Sequence, residues 1–481
     1  MLGKIKDWFF KNRTPNQTIL KNTFWLFFGQ IFSRLLRAAI VIYAARLLGA
    51  ASWGAFSYVL SLATFLTIFS DFGINALVTR ETSKNPELRN KYLSTALFIK
   101  IGLVILLGII LFAVGGRITK IEEAKILIPL LIFMFGFDTI RDLATTINRA
   151  MERMEIEAGL VLVTNFLIVA LGFIFLSFRP TAYSLATSYA VGSGLGLIIS
   201  LIALRKYFTS LFSHFDRKLV REIISLAWPF GLLALLGTVM LNTDIIMLGW
   251  MSTATEVGWY ATAQKPLQLL YVLPALLATA FFPSLSKLAM QDDKKEQFER
   301  LIEKALMVVL TVALPITLGG LVVGDQLIPA LFGSAYQASV TSFLILLLTI
   351  PIVFPSTILG NALFAYNRQR QFIGYVALGA GSNFIANLIL IPRYGIAGAA
   401  VATVLSNILS NALLWIKMKK IAPIKLGTPI VKPLFISLVM AGVVLALKEI
   451  GVPLYLNIAV GAAVYGLLIR KVFHQTITAS P

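Results

Sequence analysis

The sequence predicts an all-α integral membrane protein of fourteen transmembrane helices, built as two six-helix lobes in a parallel pseudo-two-fold arrangement plus two C-terminal helices. Three observations predict it. Of 481 residues, 58% are hydrophobic and only 13% charged, against about 25% charged in a soluble globular chain. Apolar runs recur at roughly the 20 residues that a helix rising 1.5 Å per residue needs to cross a ~30 Å hydrocarbon core, and a backbone in lipid must satisfy itself as helices or a closed barrel. Short stretches also repeat. ASWGAFSYVLSL at 51–62 matches TEVGWYATAQKP at 255–266, aligning Gly54 with Gly258. DTIRDLATTINR at 138–149 matches STILGNALFAYNR at 356–368 with one inserted residue, setting Asp142 opposite Asn361 and Asn148 opposite Asn367. Six helices per repeat is an even number, so the repeats run parallel, related by an axis along the membrane normal.

In order, the predicted spans are 20–47, 53–78, 92–114, 126–148, 157–178, 182–204, 223–248, 256–284, 302–323, 338–366, 371–391, 396–417, 431–447 and 453–470. The lobes are therefore 1–204 and 223–417, the spans 13 and 14 fall within 418–481, and a charged connection occupies 205–222. In that connection Leu211, Phe215, Leu219 and Ile223 recur every fourth residue, the pattern of an interfacial amphipathic helix. Of 42 Lys and Arg, 30 fall in the N-terminal segment, the even-numbered connections and the C-terminal end, seven in the opposite connections and five within spans. The positive-inside rule then places both termini in the cytoplasm of a multi-pass protein of the plasma membrane. This distribution accounts for most of the net charge of +20 through contact with anionic headgroups, so no nucleic-acid partner is expected. The basic start of the chain lacks a short apolar core with a small-residue cleavage site and reads as a retained cytoplasmic segment.

The first span, NTFWLFFGQIFSRLLRAAIVIYAARLL at 22–48, carries Gln30, Arg34 and Arg37 at i, i+4 and i+7, one narrow polar stripe on an otherwise apolar helix. An arginine facing lipid at mid-membrane costs about 2.5 to 3.5 kcal/mol even on the lenient insertion scale. The stripe is therefore either neutralised by acids on neighbouring helices or lines a wet cationic cavity for an anionic substrate. Of nine charges inside spans, seven lie in the first lobe: Arg34, Arg37, Asp71, Lys100, Asp138, Arg141 and Asp142; the second lobe holds Asp244 and Lys265. Asp138, Arg141 and Asp142 share a helical face, giving local ion pairing with one acid in excess, and an excess carboxylate in a half-desolvated site is suited to carrying a proton or binding sodium. Asp71, Asp138, Asp142 and Asp244 are the candidates for that coupling, while Asp71, Lys100 and Asp142 lie at similar depth and could instead pair with one another. The second lobe carries the prolines, Pro229, Pro266, Pro274, Pro315, Pro351 and Pro355, and is read as the bending half.

Nothing in the sequence points to an enzyme. It has no cysteine and no GxxxxGK[ST] loop, and its two histidines, His214 and His474, lie near the cytoplasmic face without metal-ligating company. No cofactor is expected beyond a coupling ion.

ARLLG at 45–49 followed by Trp53 and Gly54, SDFGINALVTRE at 70–81, LIPALFGSAYQ at 327–337 and YGIAGAAVATVLSN at 394–406 resemble the polysaccharide transporter family, the Wzx-type flippases of the multidrug/oligosaccharidyl-lipid/polysaccharide superfamily. The resemblance covers nearly the whole chain. It implies a monomeric, alternating-access flippase that moves a polyprenyl-diphosphate-linked oligosaccharide from the cytoplasmic to the outer leaflet for cell-surface polysaccharide assembly. A diphosphate calls for paired guanidinium donors in water, which makes Arg34, Arg37, Lys100, Arg141 and Lys265, with Gln30, the substrate-site candidates. Two related readings stay open, a lipid II-type flippase and a cation-coupled multidrug antiporter of the same superfamily.

Overall fold

A computed structural model describes residues 12, 14–208, 214–424 and 427–478. Leu211 of the connecting stretch and most of the basic N-terminal segment lie outside the described residues, as does the His474 side chain. Every regular element among the described residues is helical. Ten helices are long and apolar enough to cross a membrane, which makes this a multi-pass helical membrane protein. The chain divides into two compact units, Met1–Gly258 and Trp259–Pro481. This boundary, drawn by compactness, falls later than the one drawn from the repeats.

The first unit begins with α1 (Pro15–Asp71), whose N-cap Thr14 accepts from the Gln17 amide (3.3 Å). Its 57 residues would make a rod of about 85 Å, nearly three times a bilayer core. It breaks at Gly49 (φ 73°, ψ 172°), a backbone conformation open chiefly to glycine, close to where the sequence separates the first two spans. Then follow α2 (Ile74–Lys84), α3 (Arg89–Ile118), α4 (Glu122–Ala150), α5 (Met154–Phe178), α6 (Ala182–Ala203), a single turn α7 (Arg205–Phe208) and α8 (Arg217–Met251). The α4 helix, with Asp138, Arg141 and Asp142 in its second half, is not among the ten strongly apolar spans. Residues 217–222, expected in a separate interfacial helix, instead open α8 beneath the cap of Asp216, whose carboxylate accepts from the Lys218 amide (2.9 Å). Leu77, Val78, Leu93, Ala96, Leu143, Ile147 and Ile223 form a buried cluster uniting α2, α3, α4 and α8.

The α9 helix (Ala254–Leu270) begins in the first unit. A Cβ on Gly54 would lie 1.8 Å from the Ala254 carbonyl oxygen, and one on Gly258 would lie 1.9 Å from the Ala50 carbonyl oxygen. The two glycines aligned by the repeat thus touch reciprocally, each against the residue four before the other.

The second unit contains the rest of α9, then α10 (Val272–Ala289), α11 (Lys295–Phe332), α12 (Ser339–Leu347), α13 (Ile350–Ala365), α14 (Gln369–Ile421), α15 (Gly427–Glu449) and α16 (Leu454–Thr478). Two spans expected to be continuous, 256–284 and 338–366, are interrupted at Tyr271 and at Leu348–Thr349. Pro274 and Pro351 explain both, because a proline has no N–H for the carbonyl four residues earlier, here Leu270 and Leu347. Pro229, Pro266, Pro315 and Pro355 remain inside helices. The two breaks are joined, since the Tyr271 and Thr349 hydroxyls hydrogen-bond. Tyr271→Phe removes that bond, worth about 1 kcal/mol. Amide exchange in 268–274 and 346–352 is expected to quicken severalfold with the first unit unaffected; unchanged exchange would show that the bond does not couple the breaks.

The α14 helix is a hairpin folded at Gly395 (φ 55°, ψ −134°), with the Asn383 amide donating to the Thr403 hydroxyl across the fold (3.3 Å). The C-terminal pair is anchored on α11: Lys448 reaches Asp325 and the Val322 carbonyl, each at 2.8 Å, and the Tyr465 hydroxyl donates to the Thr311 carbonyl (2.7 Å).

Candidate functional site: the charged interior of the first unit

Three faces can be distinguished along α1. Gly29, Ser33, Ile40 and Ala44 are buried. Phe24, Phe28 and Phe32 are exposed and stacked in sequence, with centroids 6.0 and 5.7 Å apart. Gln30, Arg34 and Arg37 are exposed as well, on a stripe about 150° from the phenylalanines at 100° per residue. An aromatic stripe suits lipid, so the cations point well away from the face best suited to it.

The α1–α5 register is fixed by close contacts on either side of Arg37. A Cβ on Gly29 would meet the Ala158 Cβ at 3.0 Å, and a Cβ on Gly172 would meet Ile40 at 2.9 Å. Between these points the Arg37 Nε donates to the Asn165 side-chain oxygen. Asn165 is buried, and its amide nitrogen donates to the Val161 carbonyl (2.8 Å).

Four other cations of the unit, Lys21, Lys100, Arg141 and Arg149, meet carboxylates. Lys100 is fully buried and pairs with Asp71 at 2.6 Å. Asp71 also accepts from the Gly73 and Asn75 amides (3.3 and 3.2 Å), so it satisfies amides at the start of α2 as well as neutralising Lys100. The Thr139 hydroxyl bonds Ser70 beside this pair. Two residues further along α4, Arg141 lies between Asp138 (2.7 Å) and Asp142 (3.1 Å), leaving that trio with one excess negative charge. Arg149 forms a forked bond with buried Glu157 (2.8 and 3.0 Å from Nε), and buried Lys21 meets Glu155 at 2.9 Å. Among the described residues no carboxylate lies within ion-pair distance of Arg37.

The structure therefore gathers Asp71 with Lys100, and Asp138 with Arg141 and Asp142, while Arg34 and Arg37 lie on the part of α1 before the Gly49 break, where Arg37 meets Asn165. Asp244 is fully buried on α8. Lys265 belongs to the second unit, where its ammonium contacts Gln268 (3.4 Å), which in turn bonds Gln264 (2.9 Å). Sequence reasoning missed Asn165, Glu155, Glu157, Gln264 and Gln268. A single asparagine within LVLVTNFLIVA was the available signal for the first of these.

Long broken helices with paired charges among them define a polytopic helical membrane protein. The fold aligns with the lipid II flippase MurJ in an inward closed conformation at TM-score 0.80 and 17% identity, over 95% of this chain and 100% of that one. It aligns at TM-score 0.64 and 15% identity with an inward-facing multidrug resistance transporter of the MATE family, over 81% of this chain and 95% of that one. The chain belongs to the polysaccharide biosynthesis protein family, whose sequence profile matches residues 19–289, more than half its length. It is 25% identical over 466 residues to the probable low-salt glycan biosynthesis flippase Agl15 of Haloferax volcanii, covering 96% of this chain and 95% of that protein. It is 23% identical over 420 residues to a putative O-antigen transporter of Shigella flexneri, covering 82% and 97%.

Proposed function

We propose that this protein is a flippase that moves a polyprenyl-diphosphate-linked oligosaccharide from the cytoplasmic to the outer leaflet for cell-surface polysaccharide assembly. The observation that carries the reading is the pair of guanidinium groups one turn apart on α1, within an apolar segment and away from its aromatic stripe. In a low-dielectric setting such groups suit a phosphate, because arginine presents paired donors that stay charged. Relatives named as a glycan biosynthesis flippase and an O-antigen transporter support an oligosaccharide cargo, and the family match favours it over lipid II or cationic drugs. On this reading Arg34 and Arg37 are the main phosphate contacts, with Gln30, Lys100, Arg141 and Lys265 as further candidates, exposed to the two sides of the membrane in alternation. The ion pairs of Lys100 and Arg141 give those two more of a structural share. The protein acts as a monomer and not as an enzyme.

The same reading has fourteen crossings with both termini cytoplasmic. The breaks at Gly49 and Gly395, the charged α4 and the 17-residue apolar stretch Leu454–Arg470 supply the four crossings beyond ten. Lobes at 1–204 and 223–417, a connection at 205–222 and an appendage at 418–481 complete it. Coupling to protons or sodium is assigned first to Asp142, the excess and half-exposed acid of the Arg141 trio, with Asp71, Asp138 and Asp244 as alternatives.

The test is translocation of a lipid-linked oligosaccharide in proteoliposomes under imposed pH, sodium and potential gradients. Wild-type protein is expected to translocate, with a rate that depends on one of these gradients, and Asp142→Asn is expected to abolish the dependence. Absence of translocation would overturn the flippase reading, and gradient-independent translocation the coupling alone.

A further inference from the structure

We infer that Asn165 is a positioning residue for Arg37, a neutral clamp that orients the guanidinium without discharging it. This deepens the flippase reading and rests on Arg37 receiving an anion. Lys21, Lys100, Arg141 and Arg149 each have a carboxylate partner; Arg37 instead bonds an uncharged amide. The amide has no choice of orientation. Its nitrogen is committed to the Val161 carbonyl (2.8 Å), which turns its oxygen, an acceptor only, toward Arg37. The α1–α5 contacts at Gly29 with Ala158 and at Ile40 with Gly172 hold the two helices in the register that makes this meeting possible. The bond uses the Nε hydrogen and leaves the two terminal nitrogens, with four N–H donors, for a phosphate. A carboxylate at this position would still accept from Nε, without the bond to Val161, while cancelling the guanidinium's charge, and the site would lose its attraction for an anion.

The experiment measures binding of inorganic pyrophosphate to the purified full-length protein, together with its thermal midpoint, for wild type, Arg37→Ala, Asn165→Ala and Asn165→Asp. Wild type is expected to bind and Arg37→Ala to lose binding. Asn165→Ala is expected to bind about tenfold more weakly, the loss of one charge-assisted hydrogen bond. Asn165→Asp is expected to lose at least a hundredfold while melting no lower than Asn165→Ala. A purely structural asparagine predicts the opposite order, because aspartate keeps the bond to Arg37 and alanine does not. Equal binding by wild type and both Asn165 variants overturns the positioning role alone. Failure of wild type to bind, or full binding by Arg37→Ala, overturns the anion site and the clamp with it.

Discussion

Arg37→Ala is expected to reduce oligosaccharide translocation at least a hundredfold in proteoliposomes while the protein still inserts and folds, and Arg34→Ala to reduce it comparably. The scale follows from losing two or more charge-assisted hydrogen bonds to phosphate, at about 1.5 to 3 kcal/mol each, where every 1.4 kcal/mol is tenfold. Folding is expected to survive because Arg37 gives up one bond, to Asn165, and no carboxylate is stranded by its removal. Lys100→Ala sets the contrast: it leaves Asp71 without its buried partner, and the loss should appear first as poor stability. Normal transport by both arginine variants and by the double variant would remove the site assignment. Arg37→Lys keeps the charge but not the planar fork, so an intermediate rate is expected.

Gly54→Ala is expected to be the most damaging single-methyl change outside the charged interior. The new Cβ would sit 1.8 Å from the Ala254 carbonyl oxygen and 2.7 Å from the Gly258 nitrogen. Both obstacles are backbone, so no side chain can rotate aside and the helices must move apart by more than about 1 Å, with overpacking of ordinary cores already costing about 1 to 3 kcal/mol. A fall in thermal midpoint of several degrees and reduced yield are expected, and the same for Gly258→Ala against the Ala50 carbonyl. Gly116→Ala, where a Cβ meets nothing within 4 Å, is the control. Midpoints for Gly54→Ala and Gly258→Ala that match the control would show that this crossing tolerates separation.

Much of the fold was legible because membrane insertion is decided locally. Hydrophobic run length acts within a few residues of itself and placed the crossings, whereas the breaks beside Pro274 and Pro351 fall inside spans expected to be continuous. The repeat aligned Gly54 with Gly258 by pattern, but pattern carried no sign that the two meet. The cationic stripe on α1 was legible for the same local reason, since i, i+4 and i+7 share a face of any α-helix. The pairing of the charges was not. Asp71, Lys100 and Asp142 were placed at one depth, and from depth alone any of them could pair. Rotation and register of α1, α3 and α4 gave Lys100 to Asp71, while Arg141 took the two aspartates of its own helix.

From its sequence alone this protein is determined to be helical, membrane-embedded and cationic along one face of its first crossing, because these properties depend on composition and on the 3.6-residue period. Only the tertiary structure decided which cations are cancelled and which stays charged. That outcome depends on side chains far apart in the chain, Arg37 and Asn165 above all. Close glycine contacts between α1 and α5 hold them at hydrogen-bonding distance.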